Sequence, residues 1–448
     1  MSTLDTIREQ FPITRQCFVN ESGNRQTITY LDHGASTHPP APVLDSYREF
    51  LERYYANIHR GNHYLSQKAS ELYDCVSEVV LNYIGGGSGA DNSVIFTSNT
   101  TTALDIASYL MQDVAGATLV SSMEHHSNDL PHRRRGAVKR IEVLRDGTLD
   151  YEDLERKLVA GGIKLVAITG ASNVTGYMPD IRLIARLAHA NGARILVDGA
   201  QLLAHHAVDL LPNDDDSHID FFAAAGHKAY APFGTAFLVA PNQVLERTEP
   251  YIPGGGTVKF VTDTDVVWAE GVERHTGGTP NIPGVIALGS ALNWLSEIGL
   301  DWVRRHEVEL LTSVESRLRG IEGVTFLGDI PAEKKLGVLP FNITGIHHEQ
   351  VAAILNERYG IATRNGCFCA HPYLTRLLHC TDAEAVRRKV EAGEDVLLPG
   401  AVRATIGIYN NAEDLDKLVA AVADLAAEAL KGTMFPASDK PSACIEAM

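Results

Sequence analysis

A lysine at the end of an apolar segment is the first residue whose type and position could support chemistry. Phe221–Ala225 is entirely apolar and predicts a short buried strand, which Gly226 ends before His227 and Lys228. Burial disfavours the charged form of a lysine, so its amine becomes a usable nucleophile toward a carbonyl group. Taken alone, the same pattern also fits a surface lysine in a glycine-containing loop.

Polar residues follow several other segments with the character of strands. They are His125 after Thr118–Ser122, Asn173 after Leu165–Thr169, and Asp198 and Gln201 at and beyond the end of Arg194–Asp198. Amphipathic helices are predicted over Tyr151–Val159 and Ile181–Ala190, and this alternation favours a parallel sheet covered on both faces. Ligands bind such sheets beyond the carboxyl ends of the strands, so these side chains are expected to converge with Lys228.

This set of side chains suits pyridoxal 5'-phosphate (PLP), whose aldehyde forms a Schiff base with a lysine, here Lys228. An acid beside the pyridine nitrogen keeps that nitrogen protonated. Asp198 is the candidate, and an aspartate that caps the next helix is the alternative interpretation. His125 is a candidate to stack on the ring, and Gln201 to donate to the phenolic oxygen of the ring.

Hydroxyl residues between a strand and a helix indicate where a phosphate would bind. Ser98–Thr102 joins a predicted strand to the predicted helix Ala103–Met111. Hydroxyl groups and the free N–H groups of a helix N-terminus bind anions, so Thr101, Thr102 and His227 are candidate cofactor ligands. An ordinary helix cap is the alternative.

A second reactive group is Cys369, in the segment Arg364–Pro372. Positive charge from Arg364 and His371 lowers the pKa of a nearby thiol, so a partly exposed thiolate is expected. Cys367 and Cys369 lack the second cysteine pair of a zinc site, and their polar neighbours disfavour two buried, inert thiols.

Two arginines are candidate ligands for a substrate. The guanidinium of Arg403 can bind a carboxylate through two parallel hydrogen bonds, which lysine cannot do, and Arg364 lies beside the reactive cysteine. The spacing of His59 and His63 suggests a metal site, but Gly61 favours a loop there and the glutamate of the zinc-protease motif is missing. No metal is therefore expected.

Composition disfavours several classes of function. The chain has 448 residues and a formal net charge of −17, so a nucleic-acid surface is not expected. No stretch reaches the roughly 18 apolar residues of a membrane span, and the polar start lacks the apolar core of a signal peptide. The six scattered cysteines do not predict a disulfide framework. A soluble, cytoplasmic protein with reduced thiols is expected.

A chain of this length predicts more than one domain. The expected divisions are an N-terminal arm at 1–30 that packs with the small domain, a large domain at 31–284, a small α+β domain at 285–432 that carries the Cys369 loop, and a disordered tail at 433–448. The small domain is expected to begin with a long, bent helix over Val285–Arg317 and to end with a helix over Glu413–Leu430.

Several motifs, in their order and spacing, resemble those of class V aminotransferase-fold PLP enzymes, most closely the SUF-type cysteine desulfurases and selenocysteine lyases. The motifs are HRGNH at 59–63, MEHHSN at 123–128, SNVTG at 172–176, VDGAQ at 197–201, GHK at 226–228, GGTPN at 277–281 and RNGCFCAHP at 364–372. The resemblance extends from about Tyr30 to Leu418. It implies the type I, aspartate aminotransferase-like α/β fold, with a mostly parallel central sheet and a smaller α+β domain.

The resemblance also implies a role for each matching residue. For the cofactor, Lys228 would form the Schiff base, Asp198 would pair with the pyridinium and His125 would stack on the ring. Gln201 would meet the phenolic oxygen, and Thr101 and His227 would bind the phosphate. For the substrate, Asn173 would lie nearby, Arg403 would bind its carboxylate and Cys369 would accept sulfur. The substrate would be L-cysteine or a related sulfur or selenium amino acid, which leaves as alanine. Thr279 would reach the phosphate of a partner subunit, which implies a homodimer, and a sulfur-accepting protein is a further expected partner.

The chain departs from the family pattern at three places. Ala225 stands where the family has a phosphate-binding serine, Thr102 replaces an acidic residue, and the segment between Cys369 and Arg403 is longer. The missing hydroxyl at Ala225 predicts looser retention of PLP. Another class V enzyme (a C–S lyase, an epimerase or a transaminase) and a non-catalytic binding subunit are the alternative functions.

Overall fold

A computed structural model describes residues 3–19, 23, 25–87, 89, 91–380, 383–394, 396 and 398–432. The strands are β1 (Cys17–Val19), β2 (Arg25–Thr27), β3 (Thr29–Tyr30), β4 (Asn92–Thr97), β5 (Ala117–Ser121), β6 (Val138–Ile141), β7 (Ile163–Thr169), β8 (Arg194–Asp198), β9 (Phe221–Ala225), β10 (Ala236–Pro241), β11 (Val258–Val261), β12 (Val266–Trp268), β13 (Val324–Phe326), β14 (Val338–Ile343), β15 (Ile361–Ala362), β16 (Arg364–Gly366) and β17 (Ala401–Thr405).

The helices alternate with these strands through most of the chain. They are α1 (Thr3–Glu9), α2 (Ala41–Arg53), α3 (Tyr64–Tyr83), α4 (Thr100–Leu110), α5 (Leu130–Arg135), α6 (Tyr151–Val159), α7 (Ile181–Ala190), α8 (Asn242–Arg247), α9 (Ile282–Ile298), α10 (Leu300–Arg319), α11 (His348–Tyr359), α12 (His371–Leu377), α13 (Ala383–Glu391) and α14 (Ala412–Leu430). Short 3-10 helices lie at Pro12–Arg15, His126–Asn128, Gly226–Lys228, Gly271–His275 and Ala332–Lys334.

The central sheet has seven strands, in the order β4-β10-β9-β8-β7-β5-β6. The five strands from β9 to β6 in that order run parallel, as the alternation of strands and helices predicts. β10 is antiparallel to both β9 and β4 and was not predicted. The segment between Lys228 and Ala236 is too short for the crossover that a parallel neighbour requires, so the chain returns antiparallel.

Apolar clusters cover both faces of this sheet. Adjacent residues of β9 point to opposite faces, so Phe221 packs in the cluster with Leu104 of α4, and Phe222 packs in the cluster with Leu288 of α9. β5, β7 and β9 are buried along their whole length and are mostly apolar in sequence, and β9 is entirely so.

A second, antiparallel sheet has the order β13-β14-β17-β16. Its apolar face packs against helices, with Phe341 of β14 and Val402 of β17 in the same cluster as Leu311, Val351 and Leu418 from α10, α11 and α14. This α+β unit carries β16, β17 and the loop that contains Cys369.

α9 and α10 form two helices where the sequence predicted one bent helix. Gly299 lies between them with φ +86°, a left-handed conformation that favours glycine. Leu292 of α9 packs in the cluster of the large sheet, whereas Leu311 of α10 packs with the small sheet. We therefore propose that the small domain begins at Gly299, later in the chain than the division at 284 that the sequence suggested.

The N-terminal arm contacts both units. Arg8 Nη1 lies 2.9 Å from Asp414 Oδ2 of α14, and β3 pairs with β15 of the small unit. Phe11 is fully buried, and its ring centroid lies 4.6 Å from that of Tyr409 and 5.8 Å from that of Tyr230 in the large unit. The tail predicted to be disordered, 433–448, lies outside the described residues.

Two further predicted boundaries differ from the structure, and one hairpin was not predicted. The strand expected at Glu142–Leu144 lies at Val138–Ile141, because β6 is an edge strand with an exposed lysine and lacks an apolar run. α4 begins at Thr100, three residues before its predicted start. The hairpin of β11 and β12 was not predicted.

Asp220 fixes the start of the strand that leads to Lys228. Its carboxylate accepts hydrogen bonds from Ile195 N (2.9 Å), Arg194 Nη1 (2.5 Å) and His189 Nε2 (3.0 Å). His189, His218 and Asp220 bring atoms of metal-ligand type within 4.8 Å of one another, but Arg194 shares the carboxylate. Although burial opposes it, the hydrogen bonds and the charge of Arg194 hold the pKa of Asp220 below its ordinary value. We interpret the cluster as an ion-pair network that ties β8 to β9.

The length and apolar character of the helices bear on whether any of them could span a membrane. Within the described part of the chain, none of them combines the length and apolar character that crossing a bilayer requires.

Gly199 tests how tightly β8 packs beside the site. A Cβ atom there would lie 2.1 Å from Cζ of Phe222, so Gly199→Ala is expected to destabilise the protein by roughly 1–3 kcal/mol. The measurement is the urea midpoint followed by circular dichroism. Gly254→Ala is the matched control, since a Cβ atom there meets no heavy atom within 4 Å, and it should leave the midpoint unchanged. Equal midpoints for the two variants would contradict the packing described here.

Candidate active site

A cavity of about 320 Å³ lies at the carboxyl edge of the central sheet, where the small unit meets the large one. It brings together most of the residues singled out in the sequence: Thr101, His125, Asn173, Asp198, Gln201, His227, Lys228, Arg364, Cys369 and Arg403. His125, Asn173 and Lys228 lie within four residues after the ends of β5, β7 and β9, and Asp198 ends β8, which is the convergence that a parallel sheet predicts.

The end of β9 places Lys228 in a short helical turn that faces Asp198. Burial lowers the pKa of Lys228 to about 8, while the negative charge of Asp198 partly opposes this shift. Burial also raises the pKa of Asp198, and this effect is limited by a hydrogen bond from Ala200 N to Oδ1 at 3.0 Å and by the lysine charge. A carboxylate and an amine therefore share a site from which water is largely excluded.

His125 lies in a rigid turn after β5. Its Nδ1 accepts a hydrogen bond from Ser127 N at 3.1 Å. The preceding residue, Glu124, is buried and accepts a hydrogen bond from Asn128 Nδ2 at 2.7 Å, which closes the turn. Burial, helped by the charge of Lys228, lowers the pKa of His125 to about 3, so its ring is neutral at physiological pH. A neutral aromatic ring suits stacking on a flat ligand.

The N-terminus of α4 forms one end of the cavity. Asn99 caps the helix through a hydrogen bond from Thr102 N to its Oδ1 at 2.9 Å. Thr100 also lines the cavity, and its buried Oγ1 has no hydrogen-bond partner within the described structure. An unpartnered hydroxyl beside the free N–H groups of a helix fits the phosphate of PLP.

Two arginines line the opposite end of the cavity, and both lie near the carboxylate of Asp32, which is not itself part of the lining. Arg364 Nη2 lies 2.9 Å from Asp32 Oδ2, and Arg403 Nη2 lies 3.5 Å from Asp32 Oδ1. Arg403 is buried, and its Nε has no partner among the described residues. Burial lowers the pKa of Arg403 to about 10, against the opposing charge of Asp32, so it stays cationic at neutral pH. Two cations for one anion leave a positive charge that suits a substrate carboxylate.

Cys369 is exposed at the mouth of the cavity, on a loop with an unusual backbone. Phe368 and Cys369 are both in the left-handed region, at φ +53° and +55°. Asn173 Nδ2 donates to Phe368 O at 2.6 Å, and His126 N donates to Cys369 O at 2.8 Å. The guanidinium of Arg403 lies 4.9 Å from the centroid of the Phe368 ring. Residues of the large unit thus hold the thiol loop of the small one.

Two residues expected to bind the cofactor lie outside this cavity. Thr102 points its hydroxyl back to Asn99 Oδ1, at 3.2 Å, because it is the third residue of the helix and is turned away from Thr100. Thr279 lines a separate cavity of about 280 Å³, together with Thr102. Ala225 is buried within β9 and does not line the main cavity.

Some residues of the site were missed by sequence reasoning. No role is assigned to Asp32 from the sequence, although an aspartate close after a strand is a usable signal. Phe368 appears there only as part of the segment RNGCFCAHP. The role of Ser127, whose Oγ lies 2.7 Å from Thr101 Oγ1, depends on a long-range contact that sequence spacing does not show.

A sequence model of the family Aminotransferase class-V matches residues 29–418. The chain belongs to this family. A probable cysteine desulfurase of Halalkalibacterium halodurans is 34% identical over 421 residues, which cover 92% of this chain and 95% of that protein. The cysteine desulfurase of Klebsiella pneumoniae (strain 342) is 33% identical over 428 residues, which cover 93% of this chain and 97% of that protein.

Solved structures agree with this placement. The apo structure of a cysteine desulfurase from Thermococcus onnurineus NA1 superposes with a TM-score of 0.83 at 30% identity, covering 95% of this chain and 99% of that one. The cysteine desulfurase CsdA (S-sulfonic acid) of Escherichia coli gives a TM-score of 0.79 at 27% identity, and the match covers 96% of this chain and 99% of that one. The resemblance and the fold class inferred from the sequence are confirmed, and the chain stands among the cysteine desulfurases of the class V family.

The pKa of Lys228 can be tested through its reaction with an aldehyde. Only the unprotonated amine attacks, so the rate at which apoprotein takes up PLP should rise with pH to a midpoint near 8. N-acetyl-lysine serves as the reference amine, with a pKa near about 10.4. In Asp198→Asn the midpoint should move to lower pH, because loss of the neighbouring anion destabilises the ammonium form. A midpoint for the wild type as high as that of the reference amine would count against the burial of Lys228.

The two cysteines of the loop should differ in reactivity. Cys369 is exposed, whereas Cys367 is half-buried and burial raises the pKa of its thiol. Iodoacetamide at pH 7.5 is therefore expected to alkylate Cys369 roughly 10-fold faster than Cys367. Tandem mass spectrometry of the shared tryptic peptide measures both rates, and Cys367→Ser serves as the control, in which the rate at Cys369 should persist. Faster labelling of Cys367 would contradict the loop geometry.

Proposed function

We propose that this chain is a PLP-dependent cysteine desulfurase, which converts L-cysteine to L-alanine and holds the released sulfur as a persulfide on Cys369. The observation that carries the proposal is a single cavity that contains a lysine amine of lowered pKa, two guanidinium groups and an exposed thiol. Membership among the cysteine desulfurases supports the same reaction.

PLP would be held at three points. Lys228 would bind its aldehyde covalently, Asp198 would lie at the pyridine nitrogen, and the N-terminus of α4 would take the phosphate. His125 would cover one face of the ring, and Gln201, whose Nε2 donates to Gly34 O at 2.7 Å, lies in reach of ring substituents. When bound, PLP supplies an electron sink for the electrons released at the α-carbon of an amino acid.

The positive end of the cavity would orient the substrate. Arg403 would bind the carboxylate of L-cysteine, since its Nε is unpartnered within the described structure and its charge is only partly balanced by Asp32. Lys228 would take the α-proton of the substrate. A pKa lowered by burial toward 8 makes the amine a base at physiological pH.

Cys369 would take the sulfur. Its thiolate would attack the substrate sulfur, so that one S–S bond forms and the bond between the substrate Cβ and sulfur breaks. The electron pair of the broken bond stays with the carbon side and takes up a proton, which yields alanine. The protein retains the sulfur as a persulfide, so no external oxidant or reductant enters this step.

The proposal extends to partners and location. A homodimer would explain why Thr279 faces a cavity other than that of its own Lys228: it would reach the phosphate bound by a second subunit. The exposed position of Cys369 gives a sulfur-accepting protein access to the persulfide. Cysteines 17, 75, 367, 369 and 380 are free, which supports a reducing, cytoplasmic compartment.

Substitution of Cys369 tests the reaction. In Cys369→Ala, alanine formation from L-cysteine should fall at least roughly 100-fold, because the sulfur has no nucleophile to accept it. PLP should still bind, as judged by visible absorbance. The assay measures alanine and sulfide with and without a dithiol reductant, and a parallel reaction with L-selenocysteine measures selenide.

Cys367→Ala is the matched control, since it removes the neighbouring thiol of the same loop, and its alanine formation should stay within a few-fold of wild type. Undiminished alanine formation in Cys369→Ala would rule out the persulfide route and favour another C–S lyase. No turnover of either amino acid by the wild type would overturn the desulfurase assignment itself.

A further inference from the structure

A group of three hydroxyls lies at the end of the cavity formed by the N-terminus of α4. Thr100 and Thr101 belong to the first turn of the helix, and Ser127 approaches from the turn after β5. All three residues line the cavity. Thr101 Oγ1 and Ser127 Oγ are 2.7 Å apart, whereas Thr100 Oγ1 is buried and has no partner in the described structure. Hydroxyls beside the free N–H groups at the start of a helix form an anion-binding arrangement.

This end of the cavity is short of positive charge. The cations that line the cavity are Lys228, whose amine is reserved for the aldehyde, and the two arginines at the opposite end. Burial, and then the charge of Lys228, lowers the pKa of His227 to about 4, so its ring is neutral at physiological pH. A phosphate here must be held by neutral donors and helical N–H groups, so the loss of any single hydroxyl is expected to matter.

The strand that carries Lys228 contributes no hydroxyl to this end of the cavity. Ala225 offers only a methyl group, and the main-chain turn that follows it is closed on itself by the bond from Ala229 N to Gly226 O at 2.8 Å. A hydroxyl from another element is therefore needed to surround the anion. Ser127 is suitably placed for this purpose, since it lies across from the first turn of α4.

The position of Ser127 is fixed by the structure around it. Its N–H donates to His125 Nδ1 at 3.1 Å, and Asn128 N donates to His125 O at 2.9 Å. Asn128 is fully buried and is tied to Glu124 by its side chain. The same rigid turn thus sets both the ring of His125 and the backbone of Ser127, so only the hydroxyl has to rotate from Thr101 to meet a ligand.

We infer that Ser127 is a phosphate ligand: its hydroxyl turns from Thr101 to donate a hydrogen bond to a phosphate oxygen of PLP. Thr101 and Thr100 donate alongside it, so the anion replaces the contact between the two hydroxyls. The inference deepens the proposed function and depends on PLP being the cofactor. It also identifies the hydroxyl that offsets the alanine at position 225.

Binding of two aldehydes to apoprotein tests this role without any turnover. Pyridoxal lacks the phosphate of PLP but keeps the ring and the aldehyde. In Ser127→Ala the Kd for PLP should rise roughly 10-fold, the effect of one hydrogen bond to a charged group, whereas the Kd for pyridoxal should change less than 2-fold. Titration followed by visible absorbance and by quenching of intrinsic fluorescence gives both constants.

Two control variants separate a phosphate contact from a change in folding. Ser122→Ala removes a hydroxyl from the same connection, but that hydroxyl faces Glu142 Oε2 at 3.5 Å and not the cavity, so both Kd values should stay near wild type. Ser127→Thr keeps the hydroxyl and should retain most of the affinity for PLP. The 31P resonance of bound PLP should shift in Ser127→Ala and stay in place in Ser122→Ala.

Three results would overturn the inference. One is wild-type affinity of Ser127→Ala for PLP. Another is an equal loss of affinity for PLP and pyridoxal, which would mean that Ser127 acts only by positioning His125. The third is an equal loss in Ser127→Ala and Ser127→Thr. A wild-type protein that binds neither aldehyde would instead refute the proposed cofactor, so the two failures are distinguishable.

Discussion

The amine of Lys228 and the carboxylate of Asp198 lie together in a poorly solvated place, and the rest of the structure maintains this arrangement. Burial alone would suppress the charges on both Lys228 and Asp198, and each charge partly restores the other. The sheet supplies this arrangement directly, because β8 and β9 are parallel neighbours in register, with Asp198 paired to Ala223. The covered faces of the sheet keep the edge dry, and the network around Asp220 holds the two strands together at their other end.

The second unit completes the site from the opposite side. Arg403 lies on β17, and the thiol loop follows β16, so both come from one antiparallel sheet. Asn173, in the large unit, bonds to both: its side chain holds the carbonyl of Phe368, and its own carbonyl accepts from Arg403 Nη1 at 2.7 Å. Arg403 and the thiol loop therefore share one anchor, and in the proposed reaction this anchor would couple the position of the substrate to that of Cys369.

Elements whose bounds follow from a local pattern of residues could be predicted from the sequence. Elements and side-chain positions that depend on contacts distant in the chain could not. β8, β9, α6 and α7 match their predicted bounds, since strong apolar periodicity marks each of them. The residues at strand ends could be predicted for the same reason. The direction of β10 could not be predicted, because it depends on the short segment that follows Lys228. The bounds of β6 could not be predicted either, because an edge strand needs no apolar run. The positions of Thr102 and Ser127 follow from where α4 begins and how two loops meet, which no local motif encodes.

The backbone of Phe368 and Cys369 has a consequence for the thiol loop. Each of these two non-glycine residues pays roughly 1–2 kcal/mol for the left-handed region, which lowers the equilibrium population of this loop conformation about tenfold per residue. Hydrogen bonds from Asn173 and His126 offset that cost. Strain in the backbone and the two anchoring hydrogen bonds therefore oppose each other, so loss of either anchor is expected to let the loop relax. In the proposed reaction, such relaxation would move the persulfide on Cys369 without disturbance of either apolar core.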